Sequence, residues 1–166
     1  MNQEKNKIET IAIENLDPRF KCEVAAQPGG ENLTLCFSCG VCTAGCPIAE
    51  IDDEYNPRKI IRMVLLGMRE KVLSSDTIWL CSLCYRCYAR CPQNVKFTDI
   101  MTVLRDMAIK EGYVSHSFLE HVEEIDRMSQ KIRRGMMKAI IGRKGEEFEE
   151  DKKGLAEKVM GEVTTG

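Results

Sequence analysis

The sequence predicts a mainly α-helical protein assembled from two copies of one unit, each a cysteine-rich loop followed by a capped helix. Three observations carry that expectation. Eight of the nine cysteines fall into two runs of identical spacing, Cys36-x-x-Cys39-x-x-Cys42-x-x-x-Cys46-Pro47 and Cys81-x-x-Cys84-x-x-Cys87-x-x-x-Cys91-Pro92. Every element of the second run, including the proline, lies 45 residues after its counterpart, so a functional loop is duplicated. Behind each run, apolar residues recur at helical spacing after a residue suited to start a helix.

Composition narrows the function classes. The chain has 166 residues, 43% hydrophobic and 30% charged, which suits a soluble globular protein. No apolar run approaches the roughly 20 residues of a membrane span. The polar start Met1-Asn2-Gln3-Glu4-Lys5 leads into no long apolar stretch, so no secretory signal is expected and the expected location is cytoplasmic. A formal charge of -2 argues against a general nucleic-acid binder. Without export, an odd number of cysteines makes a poor disulfide framework, and metal or redox chemistry becomes the first reading.

The spacing points to iron–sulfur chemistry. Thiolates at i, i+3 and i+6 on a tight loop wrap one face of a 4Fe–4S cube, and the fourth cysteine of such a run ligates the other cube in two-cluster ferredoxins. The proline after it directs the chain away. Two 4Fe–4S clusters are therefore expected, the first on Cys36, Cys39, Cys42 and Cys91, the second on Cys81, Cys84, Cys87 and Cys46. Such cross-ligation couples folding to cluster insertion. Zinc sites use separated cysteine pairs, a poor match to two four-cysteine runs ending in proline. Cys22 is left over and reads as a small, buried or half-buried residue without a role.

In chain order, Ile11 and Ile13 alternate with polar neighbours before Asp17-Pro18, which suggests a short extended segment, a strand or hairpin. Asn56 caps and Pro57 opens a helix after the first loop, with Ile60, Ile61, Met63, Val64, Leu65, Leu66 and Met68 as its apolar face. Its expected 16 residues would span about 24 Å. Ser74-Ser75-Asp76 stops and restarts the chain before Ile78, Trp79 and Leu80. After the second loop, Thr98 is expected to cap a helix carrying Ile100, Val103, Leu104, Met107 and Ala108, ended by Gly112. Ser115 or Ser117 opens a further helix to about Lys131, its inner face Phe118, Leu119, Val122, Ile125, Met128 and Ile132. Gly135 and Gly142 weaken helix formation beyond it. Residues 1–30 thus read as an N-terminal extension, 31–112 as the two-cluster domain and 113–166 as a helical C-terminal extension. The run 131–144 holds six basic residues and no acid, and 146–151 holds five acids in six positions. A solvated tail is the expectation there, with Met136, Met137, Ile140 and Ile141 able to make its basic part amphipathic for a partner. His116 and His121 read as ordinary surface residues.

The two loops differ. The first is small and neutral between its cysteines, while the second carries Tyr85, Arg86, Tyr88 and Arg90. Positive charge stabilises a reduced, more negative cluster, so the second cube is expected at the higher potential. No nucleotide loop and no acid/base constellation appears. All eight motif cysteines are spent on clusters, so no catalytic residue is expected and the chain should carry electrons without itself activating a substrate.

The stretch from Leu35 to about Gly112 resembles the family of heterodisulfide reductase C subunits. The resemblance rests on Cys36-Phe37-Ser38-Cys39-Gly40-Val41-Cys42, Cys46-Pro47, Asn56-Pro57-Arg58, and Ile78-Trp79-Leu80-Cys81 leading into Cys84-Tyr85-Arg86-Cys87 and Cys91-Pro92. The flanking Asn-Pro-Arg and Trp narrow it to the α-helical ferredoxin type, distinct from the smaller βαββαβ ferredoxin. That type also occurs in succinate dehydrogenase and anaerobic glycerol-3-phosphate dehydrogenase. The resemblance implies an iron–sulfur relay component of an oxidoreductase of methanogenesis, passing electrons from a flavin-containing A subunit to a catalytic B subunit. The latter reduces the CoM-S-S-CoB heterodisulfide at clusters held by Cys-Cys-Gly motifs. No Cys-Cys pair occurs in this chain, which fits the relay and excludes the B-subunit role. The alternatives are the same module in a quinone- or flavin-linked dehydrogenase complex, a binding protein with structural clusters, and a stand-alone reductase.

Overall fold

A computed structural model describes residues 11–142 and, beyond them, the helical positions Gly154, Glu157, Met160 and Gly161. The chain divides into two compact units, Met1–Val114 and Ser115–Gly166. The described residues form α1 (Phe20–Ala25), α2 (Val41–Ala44), α3 (Pro47–Ile51), α4 (Pro57–Leu65), α5 (Arg69–Leu73), α6 (Arg86–Arg90), α7 (Phe97–Lys110) and α8 (His116–Gly142), linked by short 3-10 turns. No strand occurs among them. The strand or hairpin expected around Ile11 and Ile13 is instead a 3-10 turn, Ile13–Asn15, flanked by extended backbone at Ala12 and Leu16. Residues 1–10 and the acidic run 146–151 fall outside the described residues.

The first unit is built around α7, nine of whose fourteen residues are buried. Ile100, Met101, Leu104 and Ala108 meet Ile60, Ile61 and Val64 of α4, Val72 and Leu73 of α5, and Phe20 and Val24 of α1 in one core. Each such fully buried aliphatic side chain contributes about 1.5–3 kcal/mol. Phe20 and Val24 have no exposed surface, so α1 belongs to the same core as the helices that follow the cysteine runs. Cys22, on the outer side of α1, is exposed and not buried as expected.

The long helix expected after Asn56 is two. α4 stops at Leu65, the chain turns at Gly67 in the left-handed region (φ +81°), and α5 starts at Arg69. Gly67 O accepts the Asp17 N–H at 2.7 Å, and a Cβ at Gly67 would collide with the Asp17 carbonyl. The approach of the N-terminal segment thus demands the break, a long-range cause that no window of the sequence contains. Arg69 then locks it: its guanidinium bonds Asp17 at 3.0 Å, Glu23 at 2.7 Å and Glu111 at 2.7 Å, and lies 5.2 Å from the Phe20 ring.

α7 starts earlier than expected. Lys96, not Thr98, precedes the helix, in the left-handed region (φ 57°), and Thr98 is buried inside its first turn. Gly112 ends it as expected, its N–H reaching Ile109 O while the Tyr113 N–H reaches Ala108 O, the paired bonds of a Schellman stop. Ser75 caps the turn Asp76–Trp79 by accepting the Thr77 N–H at 3.0 Å.

In the second unit, α8 opens behind Ser115 and runs without interruption through Gly135 to Gly142, longer than the expected end near Lys131. One interior glycine costs about 1 kcal/mol, too little to stop a helix with the good formers Arg133, Arg134, Met136, Met137, Lys138 and Ala139 on both sides of it. Within it Phe118, Ile125, Met128, Met137 and Ile141 are exposed.

Candidate metal centres

The duplicated spacing folds into duplicated backbone. Ser38 (φ 61°) and Leu83 (φ 48°) take the left-handed region at equivalent positions, and so do Gly40 (φ 86°) and Tyr85 (φ 59°). Left-handed residues interleaved with the cysteines turn successive N–H groups to one side, the geometry of an anion nest. Non-glycine residues there cost about 1–3 kcal/mol each, so the loops hold strain that their surroundings must offset. Short helices follow at equivalent places, α2 carrying Cys42 and α6 carrying Cys87, and the two pack against each other.

The thiols are graded alike in both runs except at the third position. Cys39 and Cys84, second in each run, are exposed; Cys87 is buried and the other five motif cysteines are half-buried. Cys46, from the first run, lines one small cavity together with Cys81, Cys84 and Cys87. Of the other expected set, Cys36 stands close enough to push the Cys42 thiol up, after burial, which is the larger cause. Cys87 acts on Cys42 as well, so thiols of both runs share one neighbourhood. Cys91 ends α6, and its sulfur accepts the Val95 N–H at 3.3 Å. No group of three or more His, Cys, Asp or Glu side chains among the described residues is gathered tightly enough to hold a single metal ion.

Burial raises the thiols of Cys42, Cys81 and Cys87, and nearby donors oppose it. For Cys81 the donor is the Leu83 N–H, with the neighbouring Tyr55 hydroxyl and the charge of Arg105 acting in the same direction. For Cys87 they are Thr98, whose Oγ1 lies 3.4 Å from the sulfur, and the Tyr88 N–H. Donors of this kind favour thiolate, the form that ligates iron, and hydrogen bonds to the sulfurs help set a cluster's potential. The donor set therefore fits an anionic, sulfur-ligated group.

Elements outside the runs hold them in place. Asn56 Oδ1 accepts the Lys59 N–H and the Thr43 hydroxyl, each at 3.0 Å, and Thr43 Oγ1 accepts the Arg58 N–H at 3.1 Å. Asn56-Pro57-Arg58 is thus at once a helix start and a clamp on the first loop. Arg58 extends over Gly40, where an added Cβ would lie 3.4 Å from its Nη1, and Arg90 packs so tightly over Gly45 that a Cβ would collide with it. The first loop, neutral in sequence, is therefore flanked by two guanidinium groups, one of them lent by the second run. Arg86 remains beside the second-loop cysteines.

Sequence reasoning passed over two residues. Arg105 is buried in α7 and donates to Ile78 O (2.9 Å), Trp79 O (3.1 Å) and Cys81 O (2.7 Å), with the Trp79 ring 5.5 Å away. It braces the entry to the second loop. Its signal was a charge set in the apolar stretch Val103-Leu104-x-x-Met107-Ala108. Tyr55, 2% exposed, lines the cavity of Cys46, Cys81, Cys84 and Cys87, and nothing in its sequence neighbourhood marks it.

Paired four-cysteine loops, folded alike and packed together on helices, define an iron–sulfur electron-transfer protein with two 4Fe–4S clusters. Comparison with known proteins agrees: residues 32–95 match the family model described as a 4Fe-4S dicluster domain. The chain is 38% identical over 101 residues to the C subunit of H(2):CoB-CoM heterodisulfide,ferredoxin reductase of Methanothermobacter marburgensis, covering 61% of this chain and 54% of the relative. It is 48% identical over 85 residues to the C subunit of ferredoxin:CoB-CoM heterodisulfide reductase of Methanosarcina acetivorans, covering 51% and 34%. With the protein of that name from Methanosarcina mazei it shares 36% over 113 residues, covering 63% and 69%. The chain belongs to the family of heterodisulfide reductase C subunits. It spans about half the length of the first curated relatives it matches. Among the described residues, no helix is long and apolar enough to cross a membrane.

Proposed function

We propose that the chain is the electron-relay component of a cytoplasmic heterodisulfide reductase complex, passing electrons from a flavin-containing A subunit to a Cys-Cys-Gly-type B subunit that reduces the CoM-S-S-CoB heterodisulfide. The chain alone is not catalytic in this reading. Its first cluster is held by Cys36, Cys39, Cys42 and Cys91, its second by Cys81, Cys84, Cys87 and Cys46. Each cluster, when bound, takes up and releases one electron.

One observation carries the reading: Cys46 shares a cavity with the three leading cysteines of the other run. An exchange of ligands between runs sets the two clusters side by side, as a relay needs, and makes each depend on both loops. The printed names of the relatives supply the reaction, and the absence of any Cys-Cys pair suits a component that hands electrons on. Residues 1–30, 31–112 and 113–166 serve in this reading as N-terminal segment, cluster domain and C-terminal extension.

Anaerobic purification with iron and sulfide quantification tests it first. About eight irons per chain are expected, with EPR of two interacting reduced clusters; four irons, or zinc, sink it. Co-expression with candidate partner proteins tests the complex: co-purification with a Cys-Cys-Gly protein supports the relay, and with a membrane quinone protein points to a dehydrogenase.

A further inference from the structure

We propose that Tyr55 and Thr98 are hydrogen-bond donors to the second cluster and hold its reduction potential above the value its cysteine ligands alone would set. This rests on the ligand reading above, in which Cys81, Cys84, Cys87 and Cys46 hold that cluster.

Tyr55 is 2% exposed, and its hydroxyl is the one buried side-chain polar atom among the described residues without a hydrogen-bond partner. Such a group costs about 1–3 kcal/mol unless something accepts from it. The ring lines the cavity of Cys46, Cys81, Cys84 and Cys87. The Cys81 sulfur lies beside the hydroxyl, and a phenol can donate its proton toward a thiolate or sulfide there. A buried, unpartnered donor aimed at a sulfur-lined cavity has one chemical use, to meet a thiolate or sulfide acceptor.

Thr98 lines the same cavity. It is 1% exposed, and its hydroxyl lies 3.4 Å from Cys87 Sγ. With Cys87 bound to iron as thiolate, the hydroxyl is the donor. The first loop has one hydroxyl beside a ligand sulfur, that of Thr43 next to Cys42. That hydroxyl also donates to Asn56 Oδ1 at 3.0 Å as part of the clamp. Hydrogen bonds to sulfur stabilise the reduced, more negative state, so these two donors raise the second cluster's potential.

The test is an EPR-monitored redox titration of the full-length, anaerobically loaded chain. Tyr55→Phe removes one hydroxyl and leaves the ring. Expected is a threefold to tenfold fall in the reduced-to-oxidised ratio of the second cluster at fixed ambient potential, tenfold being about 59 mV for a one-electron couple. The first cluster should not shift. Thr98→Val shifts the second cluster in the same direction and Thr98→Ser restores it. Should Tyr55→Phe fail to load, site-specific fluorotyrosine at position 55 keeps ring and hydroxyl, makes the donor stronger and should shift the midpoint the other way. An unchanged second-cluster midpoint, or equal shifts of both clusters, overturns the inference. A wild-type chain carrying fewer than eight irons fails earlier, and then the ligand reading is what falls.

Discussion

The two cysteine loops share spacing, left-handed positions and a following short helix, yet they are held differently. The first is gripped from outside by hydrogen bonds and charge: the Asn56–Thr43–Arg58 clamp, with Arg58 over Gly40 and Arg90 over Gly45. Its surroundings are open, with Leu35, Phe37 and Val41 exposed and a cavity of about 800 Å³ alongside lined by Ser38, Arg58, Lys59 and Arg62. The second is held from within. Tyr55, Thr98 and Arg105 stand buried behind it, and its cysteines close a small cavity. The difference teaches that duplicated sequence copies the ligands and the backbone nest, while the shell that tunes each loop comes from unduplicated parts of the chain.

Exchange of the fourth ligands would break this comparison most visibly. Cys91→Ser should abolish the cluster of the first loop and Cys46→Ser that of the second, each lowering the iron count from about eight to about four. If each substitution removes the cluster of its own loop, as EPR would report, the cross-ligation is wrong.

Arg105→Met should come next. It leaves the carbonyls of Ile78, Trp79 and Cys81 without their donor, a loss of about 3 kcal/mol, and impairs loading of the second loop ahead of the first. Arg105→Lys should recover little, because an ammonium cannot span three carbonyls as a planar guanidinium does. Thermal unfolding and iron content read both effects.

A smaller shift separates the arginines. Arg90 belongs to the second run but packs on Gly45 of the first. Arg90→Met is therefore expected to lower the potentials of both clusters, on the order of 50 mV for one nearby charge, because Arg90 adjoins Cys91 of the first ligand set and, through Gly45, Cys46 of the second. Arg86→Met should move the second alone, because Arg86 lines the cavity of Cys46, Cys81, Cys84 and Cys87. Sequence position alone assigns both charges to the second cluster, so a redox titration distinguishes the two views.

The smallest effect spares both loops. Arg69→Met removes the guanidinium that joins Asp17, Glu23 and Glu111, and partly exposed pairs of this kind are each worth little. A drop of a few degrees in the thermal midpoint, with both clusters retained, is expected. The Arg19 N–H, and then Arg69, hold the Asp17 carboxyl below its usual 3.8. A lowered carboxylate stabilises fully above its unfolded value, and that contribution fades as pH falls through the lowered one. The gap between wild type and Arg69→Met should therefore narrow as the pH drops below 3.8.

Much of the molecule was legible beforehand, for identifiable reasons. Asn56 and Pro57 start a helix because the cap and the missing N–H act within three residues, and Gly112 ends one through bonds to Ala108 and Ile109. The misread elements were those with distant causes. Gly67 breaks the expected 16-residue helix because Asp17, fifty residues earlier, needs its carbonyl. Thr98 has the composition of a cap, but Lys96 takes the left-handed turn and leaves the Thr98 hydroxyl for Cys87. Cys22 lies on the outer side of α1, a matter of which face Phe20 and Val24 bury.

By itself the sequence determined the chemistry: eight thiols at two copies of one spacing, a helical frame and two sulfur-ligated centres, because ligand spacing and capping are local and repeat with the chain. Only the tertiary structure decided which side chains reach each loop. Arg90 crosses to the first, while Tyr55 and Arg105 arrive behind the second from separate elements. Contacts of that kind depend on packing between distant segments, which no local pattern encodes.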